Sequence, residues 1–274
     1  MIRRRQLARR LQALRQSAGY SLETAAATLE WSPSKLSRIE NALQGVDIHS
    51  VRGVLDVYDL GGDEAAYIQD LTRAARGKGG WREYGLSDDS YVAVETEASA
   101  VRSFEPAYVP GLLQTPEYTR TLFVGSPRRR TEAHLDDVVA ARMVRQRRLT
   151  SAEAPLELMA IVDEAVLRRP IGGPAVWRPQ LEHLLITAEL DTVTLRVLPF
   201  RVGMHLSMDG AFSILSFGEL EEPDVVAVQH AMGTTQHDKE EDVARAELMF
   251  DKLRLLALSP TDTMALVSET LDRA

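Results

Sequence analysis

The sequence predicts a two-domain protein, in which an all-α N-terminal domain of four to five helices precedes an α+β C-terminal domain. Apolar residues recur at helical spacing through the first 60 residues. Beyond residue 150, short runs rich in β-branched and aromatic residues alternate with longer helical patterns. A glycine-rich run at 77–80 separates the two regions. We therefore expect one domain at 1–60, a connecting helix and glycine hinge at 61–80, and a second domain at 81–274.

The first domain is predicted to begin and end with amphipathic helices. Apolar residues are spaced helically from Ile2 to Ser17, and Gly19 follows as a C-cap. A similar stripe runs from Ile48 to Tyr58. We expect these helices to share one core with the segment between them, made of Leu7, Leu11, Leu14, Leu22, Leu29, Leu36, Ile39, Val51 and Leu55.

Residues 21–41 are typical of two short helices joined by a tight turn. Ser21 can accept a backbone N–H as the N-cap of the first helix. Ser32 can do the same for the second, and Pro33 at the first helical position loses no hydrogen bond there. The segment is thus a candidate helix-turn-helix, whose second helix would enter the major groove of DNA.

The second helix has one apolar and one polar face. Leu36 and Ile39 are three residues apart and should point inward, whereas Ser34, Lys35 and Arg38 should point outward. Short and cationic side chains can reach base edges and phosphates, and arginine is the usual bidentate partner of guanine. The alternative interpretation is a pair of surface helices whose charges face water.

Residues 3 to 60 resemble the Xre family of phage-repressor-type helix-turn-helix regulators, most specifically at 32–41. The resemblance implies a set of DNA-contacting positions: Pro33, Ser34 and Arg38 at base edges, Ser21, Ser32 and Asn41 at phosphates, and Lys35 at either. Two positions depart from the family, because Glu30 and Ala42 stand where glycine is usual. At Glu30, in the turn between the helices, a non-glycine residue held left-handed would cost about 1–2 kcal/mol. Because Ala42 follows Asn41, the second helix would end on Asn41 itself or on a loop that reaches Gly45.

Cations are concentrated near the N-terminus of an acidic chain. Residues 1–40 hold eight Lys or Arg and three Asp or Glu, whereas the whole chain has a net charge of −8. Arg4 and Arg5 belong to an arginine cluster that could contact phosphates, or could simply increase solubility. One helix-turn-helix rarely buries enough surface for specific affinity, so we expect a homodimer on a palindromic double-stranded operator.

Composition argues against several other classes of protein. The chain has no cysteine and no apolar run of the roughly 18 residues that a membrane helix needs. Its N-terminal arginines precede no apolar targeting segment, so we expect a cytoplasmic protein without a membrane partner. Its six histidines lack metal-ligand spacing. Residues 32–35 match Ser-x-x-Lys, but the companion motifs of that enzyme class are absent. We expect no catalytic residues, no metal and no cofactor.

The second domain is predicted to mix helices and strands. The helical patterns cover Tyr91 to Phe104, Pro116 to Val124, His134 to Leu149, Arg178 to Leu190, Lys239 to Leu258 and Asp262 to Leu271. The strand candidates are Leu156 to Val162, Thr192 to Leu198, Ala211 to Phe217 and Asp224 to His230.

Most of residues 80 to 272 resemble the large C-terminal domain of Scr-type, antitoxin-like bacterial regulators. The most specific stretches are Val109 to Thr115, a Val-Pro-Gly-Leu-Leu-Gln-Thr run, and Val197 to Phe200, a Val-Leu-Pro-Phe run. The resemblance implies a transcriptional regulator that could bind a small partner protein. It does not specify a ligand.

A separate hypothesis is that this domain holds a small-molecule effector. Aromatic walls with a few polar anchors are typical of such sites, and the candidate lining residues are Trp81, Tyr91, Glu95, Gln114, Arg142, Arg145 and His205. Arg142 and Arg145 are three apart on a predicted helix and could bind a carboxylate together. They could equally form salt bridges with Glu95 or Glu164, in which case these residues would be ordinary buried pairs.

Overall fold

The computed structural model describes residues 2–76, 90–125, 131–218 and 222–274. These residues belong to two compact units, one N-terminal and helical, the other C-terminal with a mixed sheet and helices. The predicted fold class is confirmed. Within the described ranges no helix combines the length and the apolar character needed to cross a bilayer.

The N-terminal unit has five helices in its described part. They are α1 (Ile2–Ser17), α2 (Leu22–Thr28), α3 (Pro33–Glu40), α4 (Ile48–Val57) and α5 (Gly62–Arg76). The predicted apolar stripes meet in one core, in which α5 takes part: Ile68 and Leu71 pack in the same cluster as Leu7 and Leu36. The segment interpreted from sequence as a connecting helix thus contributes apolar surface to this unit.

The C-terminal unit is built on a six-stranded mixed sheet. Its strands are β1 (Ala100–Glu105), β2 (Glu157–Asp163), β3 (Val193–Leu198), β4 (Phe212–Ser216), β5 (Val225–His230) and β6 (Gly233–His237). Their order is β3-β2-β1-β4-β5-β6. The first three strands are mutually parallel, and the pairs from β1–β4 onward are antiparallel.

Seven helices among the described residues surround this sheet. They are α6 (Tyr91–Glu95), α7 (Pro116–Val124), α8 (Glu132–Gln146), α9 (Glu164–Arg168), α10 (Pro174–Thr187), α11 (Glu240–Leu256) and α12 (Pro260–Asp272). Helix α11 packs Phe250 and Leu253 against Phe104, Ile161 and other apolar residues on one face of the sheet. Side chains alternate along a strand, so Ser103 and Glu105 of β1 point to the opposite face.

The strand predictions for β2 to β5 are confirmed, but the helix predicted from Tyr91 to Phe104 is wrong after its first turn. Helix α6 ends at Glu95, and β1 begins at Ala100. Arg148 donates hydrogen bonds to the carbonyls of Glu95 and Ala98, at 3.0 and 2.7 Å, where the helix has stopped. Pairing with β2 and β4 then stabilises the extended chain. Strand β6 was not predicted, because its Gly-Thr-Thr-Gln-His sequence lacks an apolar alternation.

Candidate functional site

The exposed face of α3 carries the residues predicted to contact DNA. Ser34 and Arg38 are exposed on it, whereas Leu36 and Ile39 are buried beneath it. The helix begins as predicted, with Ser32 as N-cap: its hydroxyl accepts the Lys35 N–H at 3.1 Å. Pro33 follows at the first helical position, exposed like Ser32.

Helix α2 begins in the same way. The Ser21 hydroxyl accepts the Thr24 N–H at 3.1 Å, and the Ser21 side chain remains exposed. The two predicted phosphate-contacting serines are therefore both N-caps, each at the start of one helix of the motif. A capping hydroxyl fixes the first helical turn, so the neighbouring backbone N–H groups have defined directions.

Lys35 is held by an aromatic neighbour that the sequence did not indicate. Its ammonium nitrogen lies 3.9 Å from the centroid of the Trp31 ring, a cation–π geometry. The contact restricts the lysine, which is half-buried, to one side of the helix. Arg38, by contrast, is exposed, and no carboxylate of the described residues forms an ion pair with it.

A buried ion pair anchors the end of α3 to α1. Both oxygens of Glu40 accept from Arg15, at 2.8 Å from Nε and 2.9 Å from the second terminal nitrogen. A third guanidinium nitrogen donates to the Tyr20 carbonyl at 2.8 Å. The side chains are 9% and 2% exposed, and the Glu40 carboxylate raises the pKa of Arg15. Helix α3 is thus positioned by a bidentate arginine–carboxylate contact as well as by its apolar face.

Glu30 and Ala42, the two residues that stand where glycine is usual, adopt a strained backbone conformation rather than a different loop. Glu30 and Ala42 have φ values of 54° and 57°, in the left-handed region. After α3, the N–H of Leu43 donates to the Arg38 carbonyl at 2.8 Å, closing a Schellman cap around Ala42. The Asn41 side-chain amide donates to the Ser37 carbonyl at 2.7 Å and adds to the same cap. Asn41 itself stays exposed.

The predicted phosphate-contacting arginines of α1 are half-buried. Arg4 lines a small depression together with Ile39, Gln44 and Gly45, so it lies beside the residues that end α3 and follow it. Arg5 is half-buried on the same helix. Arg4 thus lies next to the C-terminal end of α3.

In the C-terminal unit, a cavity of about 510 Å³ opens on the polar face of the sheet. Its floor is formed by alternate strand residues, and its walls come from α6, the 108–114 loop, the end of α7, and α8. The floor includes Val101, Ser103, Glu105, Leu158, Ser213 and Gln229. Ser103 and Ser213 are directly opposite one another across β1 and β4. A volume of this size is within the range of small-molecule sites.

Three glutamines hold the loop that forms one wall. The Gln114 amide donates to the Val109 carbonyl at 2.6 Å. Gln146 donates to the Gln114 carbonyl at 2.7 Å, and buried Gln180 donates to the Leu113 carbonyl at 2.7 Å. The Pro-Gly-Leu-Leu-Gln-Thr run is therefore a pinned loop with few free backbone groups, which gives the cavity a rigid rim.

The two arginines of α8 have different environments. Arg145 forms a bidentate pair with Glu95, both contacts being 2.6 Å, and Glu95 is 2% exposed. Arg142 donates instead to the neutral side-chain oxygen of Gln114 and lies 5.1 Å from the centroid of the Phe123 ring. No carboxylate lies within 4 Å of Arg142 in the described part of the chain. Desolvation lowers its pKa to about 10.

Glu105 is a second buried charge-bearing group in this cavity. It is 8% exposed, and burial raises the pKa of its carboxyl to about 8. Gln229 donates to it at 3.3 Å and Arg142 acts on it at longer range, but together they do not offset the loss of solvation. At neutral pH the cavity is thus lined by a mostly protonated Glu105 carboxyl and the Arg142 guanidinium, besides the Arg145–Glu95 pair.

Two protein-family models match the sequence. A helix-turn-helix domain model matches residues 6–68, and a model described as a domain of unknown function, DUF5753, matches residues 89–269. The second match spans more than half of the 274 residues. The chain belongs to the DUF5753 family. No curated protein matches it. Its helix-turn-helix domain indicates DNA binding and a role in transcription regulation.

The DUF5753 domain brings most of the predicted pocket residues together. Tyr91, Glu95, Gln114, Arg142 and Arg145 all line the cavity. Trp81, the other aromatic residue predicted there, lies outside the described residues.

His205 does not line this cavity, contrary to its predicted place in the pocket. Its ring packs edge-on against Phe104, with centroids 5.4 Å apart, and lies 3.8 Å from Asp163. Phe104 points to the α11 side of the sheet. The alternation of side chains along β1 therefore separates His205 from Ser103 and Glu105.

The cavity residues that the sequence did not reveal are on its floor. Ser103 and Glu105 occupy alternate positions of β1, the spacing of side chains that share one face of a strand. This spacing was missed because the segment was predicted to be a helix. Ser213 and Gln229 come from strands that were predicted, but their approach to β1 depends on strand order, which local sequence does not specify. Glu105 is the most consequential of them, since it is buried and titratable.

Proposed function

We propose that this DUF5753 protein is a sequence-specific transcription regulator that binds a palindromic operator as a homodimer and senses a small molecule through its DUF5753 domain. The exposed polar face of α3 supports the DNA-binding part of the proposal. This helix is capped by Ser32 and is held by the Arg15–Glu40 ion pair. The Xre-like pattern of residues 32–41 supports the same function. The cavity on the sheet, which is lined by both polar and apolar side chains, supports the sensing part.

In this proposal Arg38, Pro33 and Ser34 face base edges. Arg38 has an exposed guanidinium without a competing carboxylate in the described structure, as bidentate recognition of guanine requires. The capping residues Ser21, Ser32 and Asn41 would lie along the phosphates, with Lys35 on the Trp31 ring beside them. Arg4 and Arg5 would contribute sequence-independent phosphate contacts from α1.

Arginine substitutions test this assignment once genome-wide mapping has identified the operator. We expect Arg38→Ala to cost about 1–3 kcal/mol of specific binding and to relax one base position. Arg5→Ala should weaken all sequences alike and flatten the salt dependence. Arg52→Ala is the matched control, because this exposed arginine of α4 is bonded to Gln69, at 3.1 Å. Unchanged operator affinity in Arg38→Ala would mean that the reading face is elsewhere.

We expect a homodimer because one α3 helix alone can bury only a small surface on DNA. Two copies would place their α3 helices on half-sites about one helical turn of DNA apart. Sedimentation with operator DNA present should give two protein chains per duplex. A monomer at micromolar concentration on a single half-site would contradict this.

The sensing part predicts that a ligand of the DUF5753 domain stabilises the folded chain and alters operator affinity. Binding to the folded state raises the melting temperature by mass action. A change in operator affinity requires that the ligand bind the DNA-bound and free states unequally. Thermal melts and operator titrations with the same ligand measure the two effects separately.

An antitoxin-like regulator whose C-terminal domain binds a small partner protein is the second candidate. The Scr-type resemblance suggests it, and an exposed apolar patch favours it. Met204 and Leu255 are 87% and 80% exposed, and they line one depression with Leu206 and Leu256. Copurification of one small protein at fixed stoichiometry, lost in Leu255→Glu but kept in Leu248→Glu on the same helix, would favour this function over ligand sensing.

A further inference from the structure

We propose that the cavity on the polar face of the sheet binds a small organic monoanion, with its acidic group on Arg142, a polar group near Glu105 and an apolar body between them. This inference rests on the proposed function only in that the monoanion would be the effector. The site itself follows from the charges, contacts and walls of the cavity.

Arg142 is the cation of this cavity that the described residues leave without a counter-ion. Arg145 is neutralised by Glu95, through two contacts of 2.6 Å. Glu164, the other carboxylate considered for these arginines, pairs with Arg168 at 2.8 Å. A guanidinium that is partly removed from water without a carboxylate is unfavourable, and an anion that fits against it compensates for that loss. One uncompensated cation selects a ligand with one negative charge.

The guanidinium of Arg142 is also held in place. Gln114 accepts from one terminal nitrogen, and the Phe123 ring lies 5.1 Å away. Gln114 is in turn fixed by the Val109 carbonyl and by the Thr119 hydroxyl, which donates to it at 3.0 Å. The remaining N–H groups of Arg142 therefore keep a defined direction toward the cavity. A guanidinium held in this way suits a planar carboxylate.

Glu105 determines which chemical group the ligand can place at the end of the cavity away from Arg142. Because burial raises its pKa to about 8, it is mostly uncharged at neutral pH and does not repel an anion on Arg142. It can then donate a hydrogen bond to a ligand oxygen, and Gln229 beside it can donate another. Val101, Leu112, Leu122 and Leu158 supply apolar walls. The chemistry fits an acid with an apolar or aromatic body and an oxygen acceptor at its far end.

Matched acids and amides test the proposal on the full-length protein. The probes are 4-hydroxybenzoate against 4-hydroxybenzamide, and hexanoate against hexanamide, measured by thermal shift and by isothermal titration at neutral pH. We expect the acids to bind more tightly than the amides in the wild type. Arg142→Gln should reduce this preference by about tenfold or more, since it removes a charge-assisted contact. Arg147→Gln, an exposed arginine just after α8, should keep it.

A second variant guards against misfolding of Arg142→Gln. Arg142→Lys retains the charge without the fork, so it should bind acids more weakly than the wild type while still preferring them over amides. Equal binding of acids and amides, an unchanged preference in Arg142→Gln, or no binding of either acid at millimolar concentration would overturn the proposal. Operator titrations with and without acid distinguish the anion site from the proposed sensing function. Acid binding that leaves operator affinity unchanged would support the anion site and refute the proposed sensing.

Discussion

Removing one partner of the Arg15–Glu40 pair should destabilise the N-terminal unit more than any surface substitution. The side chains are 9% and 2% exposed, and Arg15 makes three hydrogen bonds of 2.8 to 2.9 Å. Either Arg15→Met or Glu40→Leu leaves a buried charge without its counter-ion, which costs about 3–5 kcal/mol. The free energy of unfolding of such a domain is about 5–15 kcal/mol in total. Either substitution should therefore weaken the packing of α3 against α1.

Hydrogen exchange followed segment by segment is the suitable assay, because it reports on α1 and α3 separately from the C-terminal unit. The double variant Arg15→Met/Glu40→Leu should recover a large part of the loss, since two apolar side chains in contact carry no buried charge. Arg10→Met is the control, as its pair with Glu64 spans 3.7 Å and is 52% and 45% exposed. It should cost at most about 1 kcal/mol. Single losses below about 1 kcal/mol, or losses that simply add in the double variant, would refute the reasoning.

Four other substitutions test three separate features. Glu105 has a pKa of about 8 in the folded chain against an ordinary 4.5, so between these values the folded chain binds more protons and wild-type stability falls as pH rises, by at most about 1.4 kcal/mol per unit. Glu105→Gln should abolish that fall, and parallel pH profiles of melting temperature in the two proteins would contradict the assignment. Ala42→Gly should stabilise the N-terminal unit by up to about 1 kcal/mol in denaturant titrations, because it relieves a left-handed alanine. Ser32→Ala should cost about 1 kcal/mol through the lost N-cap, whereas Ser34→Ala should alter DNA affinity and leave stability unchanged.

Local signals in the sequence were sufficient for the helix-turn-helix. The Ser21 and Ser32 caps and the Pro33 start involve residues within three positions of each other, and all were predicted. At the end of α3 the sequence left two possibilities open, a cap on Asn41 or a loop that reaches Gly45. The structure has Asn41 as the C-cap, with a left-handed Ala42 after it. The segment from Ala100 to Glu105 shows the converse. Its partners are β2 and β4, more than 50 positions away, and their hydrogen bonds override its helical periodicity.

The candidate pocket was predictable in part for the same physical reason. Helical spacing correctly put Arg142 and Arg145 on one face of α8, but it could not decide which arginine would meet Glu95. That choice follows from the approach of α6 to α8 in the folded domain. His205 was wrongly grouped with them, because residue type alone cannot tell the two faces of a sheet apart.

The amino-acid sequence was enough to predict the fold class, the caps and apolar stripe of the helix-turn-helix, and the outward residues of its second helix. These depend on contacts within one or two helical turns, where side-chain chemistry and backbone geometry act together. The contact of Arg15 with Glu40, which holds α3, and the shared cavity of Glu105 and Arg142 became visible only in the folded structure. Such groups are distant along the chain, and their charges acquire a function only after folding removes them from water.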